Sequence, residues 1–264
     1  MSAKAEIKPI QEVIMIGTGN VARHLGEAFF QKGIKIKQVY GRNPDKAKKL
    51  ANQWNSIPVS DIRQLLPSEF YFFCLSDAGF MEQTQGLSLN PGITVHVSGS
   101  LPISALSGLS NNNGVFYPLQ TFSSDHPVNF NEVPILIEGS DDEVINRLIG
   151  LATQISKEVK TVNSEQRFLL HIAAVFACNF TNYMYFIAEK ILEENNLDFN
   201  LLKPLIKETA TKAMHYKPGD VQTGPAKRKD HEIIRKHLEK LGNNKDFQEV
   251  YKLLSGKIED HFNI

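Results

Sequence analysis

Residues 12–25, EVIMIGTGNVARHL, decide the fold of this chain. The stretch opens with the apolar run 13–16, which predicts a short, buried parallel strand. Small residues then stand in the G-x-G-x-x-A spacing, at Gly17, Gly19 and Ala22, and apolar residues at helical spacing follow them. The predicted order of strand, tight turn and helix is the context that a dinucleotide-binding turn requires.

Each small residue of this turn has its own physical role. Gly17 permits the tight turn, Gly19 lets a pyrophosphate approach the backbone because it has no Cβ, and Ala22 lets the helix lie close to the strand. The free N–H groups and the positive dipole end of the helix would hold the phosphates. The alternative is a close-packed turn that binds no ligand. The further candidate cofactor contacts here are Thr18, Asn20 and Val21.

The end of the second predicted strand, residues 35–41 (KIKQVYG), indicates which dinucleotide is bound. An NAD site usually has Asp or Glu there, whereas an NADP site has Arg nearby. This chain has Arg42 and Asn43 at that position. A guanidinium can bind the 2′-phosphate of NADP with two hydrogen bonds, whereas a carboxylate would repel it. The sequence therefore favours NADP over NAD. The alternative is that Arg42 is a solvated loop residue and that Asp45 only caps the helix predicted at 44–53.

Small polar residues follow the next two strands, and ligands of doubly wound sheets bind beyond the carboxyl ends of strands. Ser76 and Ser98 are therefore candidate cofactor contacts. Asp77 is expected to cap a helix, and His96, inside its strand, to be packed or hydrogen-bonded. The strand-like runs after the second are 70–75 (FYFFCL), 93–97 (ITVHV), 115–117 (VFY), 134–138 (PILIE) and 160–162 (KTV).

The chain of 264 residues is long enough for two domains. Strands alternate with helices up to residue 163, which predicts an α/β domain over residues 1–163. From Ser164 onward no strand-like alternation is found, so residues 164–264 are predicted to form an all-helical second domain. Its first helix is apolar on more than one face, which indicates burial by a partner helix or subunit. The other helices are expected at residues 141–155, 198–215, 227–241 and 245–262.

Composition excludes several classes of function. Lys plus Arg and Asp plus Glu both number 29, which argues against a dedicated nucleic-acid or membrane-surface binder. Cys74 and Cys178 lie in apolar runs and are predicted to be buried free thiols in a reducing compartment. With neither an apolar signal core nor an apolar stretch long enough for a bilayer, we expect a soluble cytoplasmic protein. No His, Cys, Asp or Glu cluster has metal-ligand spacing.

Three further stretches carry a family resemblance: residues 117–122 (YPLQTF), 171–180 (HIAAVFACNF) and 223–230 (TGPAKRKD). With the glycine turn and residues 41–44 (GRNP), they resemble the predicted-oxidoreductase family whose helical part is the DUF2520 domain. That family is related to pyrroline-5-carboxylate reductases, F420-dependent NADP oxidoreductases and β-hydroxyacid dehydrogenases. The resemblance implies a Rossmann-type domain, a helical dimerisation domain and an NADP cofactor, but no particular substrate. Gln120 and Thr121 are its candidate substrate contacts.

One departure from the β-hydroxyacid dehydrogenases concerns the acid. Those enzymes place a lysine on the first long helix, about one turn before an asparagine. Here Val175 stands one turn before Asn179, and no lysine occurs in residues 164–186. His171 lies two helical turns before Asn179, on roughly the same face. His171 is therefore the candidate proton donor and Asn179 a residue that orients substrate; the alternative is a polar contact in the core.

Thr223 and Arg228 leave two interpretations open. Thr223 belongs to turn chemistry before a helix, with Arg228 and Asp230 as a structural salt bridge. Alternatively, Thr223 and Arg228 bind a substrate carboxylate in the interdomain cleft, in trans from a second subunit. The expected function is an NADP-dependent oxidoreductase acting on a small carbonyl, imine or hydroxy acid bound in that cleft, and the expected assembly is a homodimer. The alternative, which the missing lysine keeps open, is a non-enzymatic NADP-binding regulator.

Overall fold

The computed structural model describes residues 12–124, 126–242 and 244–262, so the expectation about a signal core, which rests on residues 1–11, lies outside them. The strands are β1 Glu12–Ile16, β2 Lys35–Tyr40, β3 Ile57–Val59, β4 Phe70–Phe73, β5 Ile93–His96, β6 Asn112–Pro118, β7 Ile135–Gly139 and β8 Val159–Thr161. The α-helices are α1 Asn20–Gln31, α2 Pro44–Gln53, α3 Asp77–Gln83, α4 Asp142–Ala152, α5 Ser164–Ala174, α6 Thr181–Glu193, α7 Lys203–His215, α8 His231–Lys240 and α9 Lys245–Phe262.

The strands form one eight-stranded sheet in the order β3-β2-β1-β4-β5-β6-β7-β8. All neighbouring pairs are parallel except β6 and β7. The order runs outward in both directions from the neighbouring strands β1 and β4, which confirms the predicted doubly wound, Rossmann-type fold. As a result, the carboxyl ends of β1, β2, β4, β5 and β6 meet at a single edge of the sheet.

Helices cover both faces of the sheet, and β1 shows why. Val13 and Met15 belong to the apolar cluster that contains residues of α1, α2 and α4. Ile14 and Ile16 belong to a second cluster, which contains Phe80 of α3. Successive side chains of a strand point to opposite faces, so an unbroken apolar run is what a strand buried on both sides requires.

Two details differ from the expected elements. The short strand β3 was not expected, because its three residues include Pro58 and only Val59 is buried. The strand expected at 115–117 extends over Asn112–Pro118, since the polar residues at its start pair with β5 although they give no apolar signal.

Contacts within the chain divide it into two compact units, Met1–Cys178 and Asn179–Ile264. Helix α5 is grouped with the sheet, whereas the sequence puts the boundary before it; the domain assignment stays a prediction. A six-residue π-helix, Val175–Phe180, connects α5 with α6. The regular 3.6-residue spacing assumed between His171 and Asn179 therefore does not hold.

The second unit consists of α6 to α9 with their connections. Among its described residues only Ala226 is buried. The large apolar side chains that it exposes are Phe180, Tyr183, Phe186, Leu197, Leu201, Leu205, Met214, Tyr216, Leu253 and Leu254. Cys178, at the end of the first unit, is half-buried, which corrects the expectation of a buried thiol, whereas Cys74 is buried as expected.

The helical stretch Ser164–Glu193 is long and apolar enough to cross a membrane by length and composition, and none of its apolar window is buried. This corrects the expectation that no stretch has that length. The finding is weak evidence for a membrane span, because a core helix of a soluble protein passes the same test.

Candidate functional site

The two motif glycines occupy different environments. Gly17 has a positive φ of 126°, and a Cβ built on it would stand 2.2 Å from the carbonyl oxygen of Cys74. Gly17 is therefore required by the backbone that directly follows β4. Gly19 is the N-cap of α1 with a φ of −77°, and no atom lies within 4 Å of its would-be Cβ. The fold thus leaves open space at Gly19 without needing a glycine there for its own packing.

The amino terminus of α1 faces this open space. Gly19 offers no side chain to cap the helix, so the first backbone N–H groups of α1 keep their capacity to bind an anion. Val21 packs its side chain against the core, and the Asn20 amide donates to the carbonyl oxygen of Phe122 at 3.0 Å. The side chains of Asn20 and Val21 are therefore occupied elsewhere, and only their backbone N–H groups are candidates to bind a phosphate. A Cβ on Gly41 would collide with Thr18 at 2.6 Å, so Thr18 lies against the end of β2.

The end of β2 carries the candidate residues for the 2′-phosphate. Arg42 is 63% exposed at its side chain and forms an ion pair with Glu82 of α3 at 3.0 Å. Asn43 caps α2 by accepting a hydrogen bond from the backbone N–H of Lys46 at 3.0 Å. Asn43, not Asp45, is the cap, so the Asn43 side chain has a structural task of its own.

Three cations near the glycine turn escaped the sequence analysis. Arg23, Lys46 and Lys49 line a cavity of about 670 Å³ that also reaches Gly19. The carboxylate of Glu27 also lines it, but accepts hydrogen bonds from Gln31, Gln53 and Trp54. The sequence contains a pattern that could have indicated these cations. Arg23 directly follows the glycine motif, and Lys46 and Lys49 lie one turn apart on α2.

The ends of β4 and β5 are connected through a carboxylate. Asp77 accepts hydrogen bonds from the hydroxyls of Ser98 at 2.9 Å and of Ser100 at 2.5 Å. Ser76, not Asp77, caps α3, by accepting from the backbone N–H of Gly79 at 3.2 Å. This corrects the expected roles, because Ser76 takes the cap and Asp77 is left to bind the neighbouring loop.

His96 is buried at the end of β5, with 1% of its surface exposed. Its Nδ1 accepts a hydrogen bond from the backbone N–H of Ser98 at 3.2 Å, so the neutral ring carries its proton on Nε2. Burial, aided by the positive charge of Arg167, lowers the pKa of His96 to about 4. The expected packed and hydrogen-bonded histidine is thus what the structure contains.

Helix α5 is fastened to the sheet unit at its first turn. The guanidinium of Arg167, 1% exposed, pairs with the carboxylate of Glu138 on β7 and donates to the carbonyl oxygen of Leu101. Glu138 also accepts from the backbone N–H of Ser164 at 3.0 Å and from its hydroxyl at 2.9 Å. A capping box formed by Asn163 and Gln166 closes the same turn. The position of every later residue of α5 relative to the sheet follows from this anchor.

One turn after the anchor, His171 meets a residue that the sequence analysis did not select. The hydroxyl of Tyr117 lies 3.0 Å from His171 Nδ1. Both rings press against the loop after β5, where a Cβ on Gly99 would stand 2.7 Å from His171 Nδ1 and 2.9 Å from Tyr117 Cζ. Burial raises the pKa of Tyr117, opposed in part by the charge of Arg167. We name Tyr117 and His171 the Tyr–His pair.

The remaining candidates are spread over the chain. Gln120 and Thr121 are exposed in the loop after β6, where the Gln120 side chain accepts from the backbone N–H of Thr121 at 2.8 Å. Asn179 is exposed within the π-helix. Thr223 lines an apolar cavity of about 530 Å³ within the second unit, and Arg228 is exposed.

The salt bridge considered for Arg228 is not formed. Asp230 caps α8 by accepting from the backbone N–H of Ile233 at 3.2 Å, and no ion pair joins these two described residues. Helix α8 accordingly begins at His231, four residues later than expected.

Comparisons with known proteins agree with the fold. Residues 12–88 match the family described as NADP oxidoreductase, coenzyme F420-dependent, and residues 133–258 match the domain of unknown function DUF2520. A comparison with curated proteins found no match. Two solved structures share the fold: protein TM1727 from Thermotoga maritima (23% identity, 94% of this chain and 99% of that one, TM-score 0.74) and a reductive aminase from Aspergillus terreus (16%, 95% and 93%, 0.70).

A nearer relative comes from Bacteroides fragilis and is described as a "putative NADP oxidoreductase". It is 39% identical, the match covers 95% of this chain and 98% of that one, and the TM-score is 0.89. The chain therefore belongs to the family of this Bacteroides fragilis protein, in which an NADP-oxidoreductase part precedes a DUF2520 domain.

Proposed function

We propose that the protein is an NADP-dependent oxidoreductase that transfers hydride between the nicotinamide and a small carbonyl, imine or hydroxy acid. The observation that carries the proposal is the open space at Gly19 over the uncapped amino terminus of α1. The description of the Bacteroides fragilis relative as an NADP oxidoreductase supports it. A bound nicotinamide would supply the hydride chemistry, while the protein binds it, orients it and excludes water.

The preference for NADP over NAD rests on charge. Arg42 follows β2, and Arg23, Lys46 and Lys49 line the neighbouring cavity. These cations would stabilise bound NADP through its 2′-phosphate. They would give NAD no such stabilisation, because NAD lacks that phosphate. Glu82, the ion-pair partner of Arg42, opposes the preference, and we propose that Arg42 leaves this exposed pair, worth at most about 1 kcal/mol, when NADP binds.

The substrate is proposed to lie at the carboxyl edge of the sheet, beside the loop after β5 and the Tyr–His pair. The hydrogen bonds that Asp77 accepts from Ser98 and Ser100 hold that loop in place. Ser98 and Ser76 belong to the proposed nicotinamide side. The proton that accompanies hydride transfer is proposed to come from the Tyr–His pair, with His171 supplying it. Asn179, Gln120, Thr121, Thr223 and Arg228 remain proposed substrate contacts.

A homodimer in the cytoplasm is the proposed working form. The second unit buries almost none of its described residues, and its helices expose large apolar side chains. Apolar surface of this extent indicates a protein or membrane interface. The high charge content of 22% with zero net charge and the soluble-enzyme fold of its relatives favour a second copy as the partner.

The function is tested by following NADPH consumption with a panel of small aldehydes, ketones, 2-keto acids and cyclic imines, and NADP⁺ reduction with the corresponding alcohols, hydroxy acids and amines. We expect wild type to turn over at least one of these substrate classes, and Gly19→Val to abolish that turnover. Tight NADPH binding with unchanged NADPH absorbance across the whole panel would contradict an enzyme and indicate an NADP-binding regulator.

A further inference from the structure

The Tyr–His pair joins two elements that are far apart in the sequence, β6 and α5. Tyr117 is the last residue but one of β6, at the sheet edge where ligands of doubly wound sheets bind. His171 lies on α5, behind the anchor made by Arg167 and Glu138. The tyrosine therefore stands on the element that ends at the proposed site, and the histidine on the element that packs beside it.

The contact between the two rings has a consequence for the direction of proton flow. The Tyr117 hydroxyl faces His171 Nδ1 at 3.0 Å. When the imidazole is neutral, the hydroxyl donates to Nδ1, so its hydrogen is not available to a substrate. When the imidazole is protonated, Nδ1–H donates to the phenol oxygen, and the phenol hydrogen is then free to turn toward a substrate.

The surroundings favour both states of the phenol that such a transfer needs. Burial raises the pKa of Tyr117, which keeps the hydroxyl protonated before the reaction. The positive charge of Arg167 acts in the opposite direction and stabilises a phenolate that forms for a moment. Gly99 allows both rings to approach the β5 loop, since any side chain there would push them apart.

We propose that Tyr117 delivers the proton to the heteroatom of the reduced double bond and that His171 returns a proton to Tyr117. This rests on the proposed function. Hydride leaves C4 of the reduced nicotinamide with its electron pair and bonds to the substrate carbon, and the π pair of the C=O or C=N bond moves to the heteroatom. The heteroatom takes the Tyr117 hydroxyl proton, the phenolate takes the Nδ1 proton, and the imidazole regains one from water.

The first experiment measures kcat and KM against pH for the wild type, Tyr117→Phe and His171→Gln, using a substrate found in the panel. We expect Tyr117→Phe to lower kcat by about 10²–10⁴-fold, the range for general acid–base catalysis, with NADPH affinity and melting temperature nearly unchanged. His171→Gln should lower kcat less than Tyr117→Phe does, because water can still return a proton to Tyr117, and its kcat should depend less on pH than that of wild type. The matched control is Tyr71→Phe, which removes a hydroxyl that is hydrogen-bonded to Leu66 and Ser68, just before β4; its kcat should stay within about threefold.

A second experiment requires no substrate. Nitrogen NMR of the NADP⁺-loaded protein should show that the neutral His171 ring carries its proton on Nε2, and Tyr117→Phe should remove this preference. Gly99→Ala, which keeps both side chains but separates them, should lower kcat in the same way if Tyr117→Phe does not fold.

Three outcomes would overturn the proposal. If kcat of Tyr117→Phe stays within about threefold of wild type while His171→Gln loses its activity, His171 donates directly. An unchanged His171 tautomer in Tyr117→Phe would show that the Tyr117 hydroxyl does not make the donation to Nδ1 that the proposal requires. Absence of turnover by the wild type contradicts the proposed function itself and the inference with it, and is distinguished by leaving no activity to compare.

Discussion

At the residue scale, the two glycines of one motif illustrate how a fold requirement and a ligand requirement separate. Gly17 is held by its positive φ and by the carbonyl oxygen of Cys74, while Gly19 meets nothing. A sequence pattern treats these positions alike, because both are glycine at fixed spacing. The structure assigns the first to the packing of β1 against β4 and leaves the second to whatever binds above α1.

Substitutions at the two glycines should therefore affect different properties, stability at Gly17 and NADPH binding at Gly19. Gly19→Val should melt within a few degrees of wild type, because its Cβ has free space, yet lose NADPH binding, because the branched side chain fills the pyrophosphate position. Gly17→Ala should lose at least about 1–3 kcal/mol of unfolding free energy from backbone strain alone. Thermal melting and calorimetric titration measure the two effects. A Gly19→Val protein that binds NADPH normally would remove Gly19 from the cofactor site.

His96 gives a prediction about pH. Its pKa is about 4 in the folded protein and close to 6.5 in an unfolded chain, so below pH 6.5 the unfolded chain binds a proton that the folded protein does not. Stability from this residue is complete above about pH 6.5 and falls as pH decreases to about 4, by about 3 kcal/mol in total. Denaturant unfolding of wild type and His96→Gln between pH 7 and 4 tests this. Equal pH slopes for the two proteins would contradict it.

Residue roles near the strand ends were only partly predictable. The glycine spacing, the polar strand ends and a packed His96 follow from local sequence. The exchange of roles between Ser76 and Asp77 does not, because either residue type caps a helix well. The Tyr–His pair joins residues that are 54 positions apart, and no local pattern contains that contact.

At the scale of elements, α5 shows how one turn positions a site. The buried ion pair of Arg167 and Glu138, with the Ser164 hydrogen bonds, fixes the start of the helix on β7. His171, one turn further, then reaches Tyr117. The sequence indicates the helix start through its polar residues 163–166, but Arg167 looks like one more solvated charge until its partner on the sheet is known.

Removing one partner of this ion pair should be costly. Arg167→Met leaves the Glu138 carboxylate without its counter-charge, so we expect a loss of about 3–5 kcal/mol in the free energy of unfolding. The double variant Arg167→Met, Glu138→Gln should lose less than the sum of the single variants, since it leaves no unpaired charge. Denaturant unfolding in a double-mutant cycle measures this coupling. An Arg167→Met protein within about 0.5 kcal/mol of wild type would show that the anchor is dispensable.

The π-helix between α5 and α6 marks where element prediction by periodicity fails. The sequence of a regular apolar helix cannot be told from that of a helix with a π turn, because both consist of good helix formers. The helical second unit itself was predictable from its missing strand alternation. The short strand β3 was not, since Pro58 and one buried side chain give too little pattern over three residues.

At the scale of the whole molecule, the second unit lacks the buried core that a stable helical domain needs. Only Ala226 among its described residues is buried. We therefore expect a homodimer at micromolar concentration, with Phe176, Phe180 and Tyr183 among its contacts; these side chains are 64%, 50% and 45% exposed in one copy. Light scattering should give twice the monomer mass of 29.7 kDa, and Tyr183→Asp should shift the equilibrium toward monomer. A stable wild-type monomer would contradict the assembly.

The identity of the cofactor is the central claim, and a calorimetric titration with NADPH and NADH tests it most directly. We predict that wild type binds NADPH more tightly than NADH. Arg42→Ala should weaken NADPH by about 1.5–3 kcal/mol, the range for a charged hydrogen bond, and leave NADH nearly unchanged, while Glu82→Gln, which frees Arg42 from its ion pair, should strengthen NADPH only. Equal affinity for the two cofactors, or an equal loss for both in Arg42→Ala, would contradict the account.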